Sequence, residues 1–298
     1  MAHASCPPHY SLLGDTLLQF PHSSRKPRHY QLDRTFSGAS LALGPTGEVY
    51  ISGGKVNGHD SKTVHQWTEG LTAIGETVHV RTRHSSVFHQ GNLYLVGGGM
   101  PIEQFSLEAR VSKVVVDSVA LYATSVCIHR EEMVIFGRRL EADKRTLLHI
   151  YNFPGQKTRQ IHIPKSVKAL NQAVCFSLDK RSVVLCGGFK EGLANCDTLV
   201  FDSMRERWEQ VRFEVDFEGY REPVSVRNNT LIAVDVTGMR HVLGLQRLQW
   251  ELKKDIYGPE NWATRSFALF CLHHMRGKAQ KLTQRLPWLL LVEAIQLL

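Results

Sequence analysis

Several groups of residues in the chain have types and spacings that could do chemistry. The stretch "GGKVNGHDSK", residues 53–62, sets glycines among lysines, as a phosphate-cradling loop would. Such a loop needs GxxxxGK[ST] opening a helix, and neither the motif nor a helical pattern follows, so a turn between strands accounts for it better. Fifteen histidines raise the question of metal binding. Only Cys271, His273 and His274 lie close together, and on a strand the two histidines would face opposite sides, so no metal site is expected. His84 and His129, solitary near strand ends, read as turn or rim residues. Spacing singles out no Ser/His/Asp set and no carboxylate pair, so no catalytic residue and no cofactor is assigned.

A second group could act through charge. Lys55, His59, Arg81, Arg83, His84, Arg138, Arg139, Arg145, Lys190, Arg221 and Arg240 fall in the polar segments between β-favouring runs, as do Asn57, Lys144, Phe189 and Tyr220. The group is rich in arginine, whose planar fork suits carboxylates and phosphates. If the segments gather on one face, they make a surface for an acidic or phosphorylated segment of a protein partner.

The elements that would gather them repeat. "GEVYISGG" at 47–54, "GNLYLVGG" at 91–98, "EEMVIFGR" at 131–138 and "RSVVLCGG" at 181–188 place Gly53, Gly97, Gly137 and Gly187 at intervals of 44, 40 and 50 residues. Gly54, Gly98 and Gly188 complete three of the pairs, and "NTLIAVDV" at 229–236 is a fifth copy without them. Each run is preceded by a strand-like segment ending in a polar turn, such as "FSGASLAL" or "HSSVFHQ", and the two predict a hairpin. Third segments are read at "KTVHQW", "ARVSKVVVD", "TLLHIYNF", "DTLVFDS" and "RHVLGLQ", and fourth ones at "TRQIHI" and "RWEQVRFEV". Four short strands per 40–50 residues is the spacing of a propeller blade. The glycines would allow positive φ and close backbone approach where the chain leaves the second strand. Trp67, Trp208 and Trp250, late in their units, are placed to pack between neighbouring sheets.

This pattern resembles the kelch repeat family. The match is best over 182–208, "SVVLCGGFKEGLANCDTLVFDSMRERW", where Gly187, Gly188, Phe201 and Trp208 take kelch-like positions, and residues 36–252 carry the resemblance. It departs at Gly137, which is followed by Arg138, and at the fifth unit. The resemblance implies an all-β, six-bladed kelch-like propeller: five repeats over 36–252 and a closing blade built from both termini, 1–35 and 253–298. In that blade 8–20 and 28–33 read as two strands; the competing reading of the C-terminal segment is an amphipathic helix with an apolar tail. For function it implies a non-catalytic protein-interaction module, a scaffold or substrate-recognition protein. Some kelch-like propellers are secreted copper radical oxidases, the enzymatic alternative, but no arrangement of Tyr, Cys and His stands out here.

Composition sets the outer limits. The chain has 298 residues and a formal charge of +8, of which segments 1–35 and 263–298 carry +6. A basic surface binder of membrane or nucleic acid is therefore a third alternative, resting on the ends; the middle shows no basic stripe interleaved with aromatics. Six cysteines without a CxxC pair point to a reducing compartment, hence the cytoplasm. Gly14 and Asp15 interrupt the N-terminal leucines, which argues against a secretory signal, and the apolar run at 286–298 is shorter than the about 20 residues of a membrane helix.

Overall fold

The computed structural model describes residues 9–20, 27–117, 121–138, 146–164, 170–171, 173–190, 193–194, 198–211, 220–227, 230–235 and 240–245. The chain divides into two compact units, 1–245 and 246–298, and all described residues belong to the first. Among them there is strand and turn but no helix.

Six antiparallel sheets follow one another along the chain. Sheet I holds β1 (His9–Leu13), β2 (Thr16–Phe20) and β3 (Arg28–Gln31). A two-residue strand, β4 (Phe36–Ser37), leads into sheet II: β5 (Ser40–Leu43), β6 (Val49–Ser52), β9 (Thr63–Trp67) and β10 (Leu71–Glu76). The short β7 (Lys55–Val56) and β8 (His59–Asp60) pair with β4 in a separate ribbon, ordered β4-β7-β8. Sheet III is β11 (His84–His89), β12 (Asn92–Gly97), β13 (Met100–Ser106) and β14 (Val111–Val116). Sheet IV is β15 (Tyr122–His129), β16 (Glu132–Arg138), β17 (Thr146–Asn152) and β18 (Lys157–Ile161). Sheet V is β20 (Val174–Ser177), β21 (Ser182–Cys186), β24 (Thr198–Asp202) and β25 (Arg207–Val211). Its ribbon, β19 (Leu170–Asn171), β22 (Phe189–Lys190) and β23 (Leu193–Ala194), repeats that of sheet II. Sheet VI has β26 (Tyr220–Arg227), β27 (Thr230–Asp235) and β28 (Arg240–Gly244).

The second strands are apolar runs because both of their faces are covered. On β6, Val49 and Ile51 join a core with Tyr10 and Leu17 of sheet I, while Tyr50 joins Leu93, Leu95 and Phe105 of sheet III. On β12, Tyr94 and Val96 point the other way, to Met133, Ile135 and Tyr151 of sheet IV. On β16, Val134 and Phe136 meet Val183, Leu185 and Phe201 of sheet V. The two-residue period of a strand thus sends alternate side chains to successive inter-sheet cores. The first strands touch in sequence, β5 to β11 to β15 to β20 to β26, and β26 also contacts β5 and β1. The fourth strands are largely exposed.

The five predicted hairpins of first and second strands are present, and the segments around them need two corrections. The segment read as two strands, 8–20 and 28–33, is three, with a hairpin at Gly14 between β1 and β2. In the second repeat the third strand is β13, immediately after the glycines, and the segment "ARVSKVVVD" supplies the fourth. Residues 253–298, expected to finish the closing blade, lie outside the described residues.

Trp67 packs between sheets I and II, its ring 5.7 Å from that of Tyr10 and 4.7 Å from that of Tyr30. Trp208 lies 5.2 Å from Phe201 and donates its indole N–H to the His162 carbonyl at 2.9 Å. Trp250 lies outside the described residues.

Candidate functional site

Among the described residues, the turns that leave the second strands of sheets II and III and the end of β16 in sheet IV join into one continuous edge. In sheet II the chain turns at Gly53 and Gly54, both with positive φ. A β-carbon on Gly54 would stand 2.5 Å from Ala39 N and 2.7 Å from Ser37 O, and one on Gly53 would stand 2.7 Å from Arg81 O. The glycines are therefore required twice, for φ and for the backbone lying against them. Gly54 N–H donates to Arg81 O at 2.8 Å, and Arg83 N–H donates to Gly38 O at 2.7 Å, which joins this turn to the connection entering sheet III. In sheet III, Gly98 faces Thr82 O, Gly99 N–H donates to Leu121 O at 2.9 Å, and the Tyr122 ring packs over Gly99. Tyr122 pairs with Arg138 at the end of β16. An unbroken series of contacts thus runs from the sheet II ribbon through 81–83 and 97–99 to Tyr122 and Arg138. Gly137 departs from the expected turn: it stays inside β16, paired with Leu147.

The ribbon of sheet II is a hairpin closed by Asn57 and Gly58, both at positive φ, as a two-residue turn between right-twisted strands requires. Asn57 Oδ1 accepts the Thr35 N–H at 2.9 Å, and Asn57 N–H donates to Thr35 O at 2.9 Å. The sequence places a turn between strands here, and its Asn-Gly pair is the signal for the hairpin within it. Lys55 stands 3.8 Å from Asp60 with both side chains more than half exposed.

The edge separates the expected partner-binding residues into three groups. Lys55, His59 and Arg83 are exposed on it, and Arg138 is half-buried opposite Tyr122, which is 38% exposed. For Arg81 and His84 the expectation of exposure is corrected, since they are 1% and 6% exposed. Arg139 and Arg145 lie outside the described residues, and of Lys190, Arg221 and Arg240 only the strand positions on β22, β26 and β28 are described.

Arg81 is an internal pin. It donates to the carbonyls of Gly97 at 3.1 Å and Pro101 at 2.8 Å and to Glu103 Oε1 at 2.6 Å. Glu103, wholly buried on β13, also accepts from Val78 N–H at 2.8 Å, His79 N–H at 3.0 Å and Ser112 Oγ at 2.9 Å, and lies 2.7 Å from His79 Nδ1. Burial pushes the Glu103 pKa up, but the Arg81 charge and these hydrogen bonds outweigh it and hold the carboxyl below its ordinary value. A charge sequence reasoning assigned to recognition thus anchors the connection between sheets II and III.

His84 Nε2 lies 3.0 Å from Ser52 Oγ, which is 2.8 Å from Ser86 Oγ. Burial, and after it the Arg81 charge, push the His84 pKa down to about 3, so the ring is neutral near pH 7. The spacing suits a nucleophile and a base, yet both side chains are buried and His84 Nδ1 has no hydrogen-bond partner to orient the ring. His129, expected in a turn, is also buried, its Nδ1 and Nε2 each 2.9 Å from Ser177 and Ser203 hydroxyls.

Among the described residues no three His, Cys, Asp or Glu side chains stand close enough to hold a metal ion, and Cys271, His273 and His274 lie outside them. Nor do those residues include a helix long and apolar enough to cross a membrane. A cleft of about 440 Å³ at the outer edge of sheets I and II is lined by Tyr30, Asp33, Trp67 and Glu69 among others. Compared with known proteins, the sequence matches no family model and no curated protein.

Proposed function

We propose that the six sheets are the blades of a kelch-like propeller and that the chain is a non-catalytic interaction module, binding an acidic segment of a partner protein along the turn-bearing edge. The supporting observation is the contact series that links the segments of Lys55, His59, Arg83 and Arg138 along one edge, with exposed Tyr122 opposite Arg138. Cations beside an exposed aromatic side chain suit a chain that offers carboxylates or phosphates and apolar residues together. The contacts of β26 with both β5 and β1 support a ring closed by sheet I.

The test is fluorescence anisotropy with labelled glutamate-rich peptides, with and without phosphoserine, against the wild type and the variant Lys55→Glu/Arg83→Glu/Arg138→Glu. Three lost attractions of about 0.5–1 kcal/mol each weaken binding roughly tenfold or more. Reversal of Lys113 and Lys157, on β14 and at the start of β18, should change it by less than about twofold. Equal loss in both variants, or none in the first, would overturn the reading.

A further inference from the structure

β15 and β20 are the first strands of sheets IV and V, and three contacts at successive same-face positions join them. Ser125, Cys127 and His129 stand two residues apart on β15 and so share a face. Ser125 Oγ accepts the Cys175 N–H at 2.9 Å, and His129 Nδ1 lies 2.9 Å from Ser177 Oγ. Between these bonds Cys127 Sγ lies 3.6 Å from Cys175 Sγ. The two thiols come from positions 48 residues apart. The polar contacts on either side hold the strands where the sulfurs meet.

We propose that Cys127 and Cys175 are a modification site: a dithiol that a peroxide converts into a disulfide joining sheets IV and V. A disulfide needs sulfurs about 2.05 Å apart, so closing the gap takes roughly 1.5 Å of sulfur travel, the scale of a side-chain rotation. Cys127 is half-buried and Cys175 buried, which makes Cys127 the thiol that meets the oxidant. Its sulfur attacks hydrogen peroxide, the O–O bond breaks, and Cys127 sulfenic acid and one water result. The Cys175 sulfur then displaces the hydroxyl, forming the S–S bond and releasing a second water. The sulfurs together lose two electrons, which reduce one peroxide to two waters. A thiol reductant such as dithiothreitol reverses the step by exchange. Cys186, wholly buried with its thiol pKa pushed up to about 12 by burial, does not react in the folded chain and is the internal control.

The experiment exposes the folded, reduced wild-type chain to hydrogen peroxide, blocks remaining thiols with N-ethylmaleimide under denaturing conditions, and maps the peptides by mass spectrometry. The expected result is a cross-linked pair containing Cys127 and Cys175, short of two hydrogens, with Cys186 still alkylated. A loop of that length, once closed, raises Tm by roughly 5–10 °C, reversed by dithiothreitol and absent in Cys127→Ala and Cys175→Ala. Full alkylation of Cys127 and Cys175 after peroxide, or Cys127 recovered as sulfinic acid without the cross-link, overturns the proposal. So does a cross-link that leaves Tm unmoved, since it would not then join two sheets held in the fold. The wild-type chain alone decides, so a variant that fails to fold leaves the test intact.

Discussion

Gly54 and Gly58 lie four residues apart on either side of β7, with φ of +74° and +83°, and replacing each with alanine separates the two reasons for glycine there. Both variants incur the cost of a β-carbon at positive φ, about 1–2 kcal/mol. Around Gly58 a β-carbon meets nothing within 4 Å. Around Gly54 it would stand 2.5 Å from Ala39 N and 2.7 Å from Ala39 Cα and Ser37 O, backbone atoms that cannot rotate aside. Relief needs a backbone shift, an overpacking cost of roughly 1–3 kcal/mol that falls on the Ser37 end of the ribbon. The entropy that alanine removes from the unfolded chain is the same in both and cancels in the difference. Gly58→Ala is thus expected to lose about 1.5 kcal/mol and Gly54→Ala about 3.5 kcal/mol, or Tm drops of roughly 4 and 9 °C for a domain of this size. Urea and thermal melts followed by circular dichroism read both. Equal losses would refute the claim that close backbone approach, beyond φ, fixes the glycines.

Two further outcomes follow. Glu103→Gln leaves the buried Arg81 charge uncompensated and should cost about 3–5 kcal/mol at pH 7. The folded-state pKa of Glu103 is depressed, so its contribution is complete above the ordinary carboxylate value and disappears as pH falls through the folded one. Urea melts of wild type and variant should therefore converge on acidification; a gap that widens instead would mean the carboxyl is protonated in the fold. Trp208→Phe keeps a ring against Phe201 and loses the bond to the His162 carbonyl, an expected cost of about 1 kcal/mol in urea melts, where a loss above about 3 kcal/mol would show that the indole does more than bridge.

What could be read before the fold was known followed the physics of each segment. The second strands were plain because both faces are buried, which leaves an unbroken apolar run. β13 was missed because "MPIEQFS" contains a proline and a carboxylate in the middle of a sheet. The fold accommodates both: the register shifts between Leu95 and Gly97, placing Pro101 in a bulge, and the carboxylate of Glu103 meets Arg81. No local pattern announces a pair 22 residues apart. The same limit explains why Arg81 and His84 were grouped with Lys55 and Arg83. Their types and their place in a connection are alike, and only the packing of sheet III over 81–84 separates buried from exposed.

The turns at the opposite end of the sheets favour the proposal that a partner binds on the glycine edge. The turns between third and fourth strands of sheets III, IV and V are built alike: four residues, the last at positive φ, namely Arg110, Gln156 and Glu206. In each, the residue closing the third strand, Ser106, Asn152 or Asp202, accepts through its side chain the N–H three positions on, from Ala109, Gly155 or Arg205. Three unlike sequences therefore meet one geometric requirement, which is how a turn behaves when its task is to join strands. On the glycine edge no such uniformity holds. Sheet II sends out a ribbon, sheet III turns within two residues, and sheet IV continues its strand through Gly137. Where one end of a repeated scaffold keeps its geometry and the other varies from unit to unit, selection for specific contacts is better served at the variable end. A partner bound at the uniform end would meet nearly the same turn three times, so binding there would show in Lys157→Glu and not in Arg83→Glu.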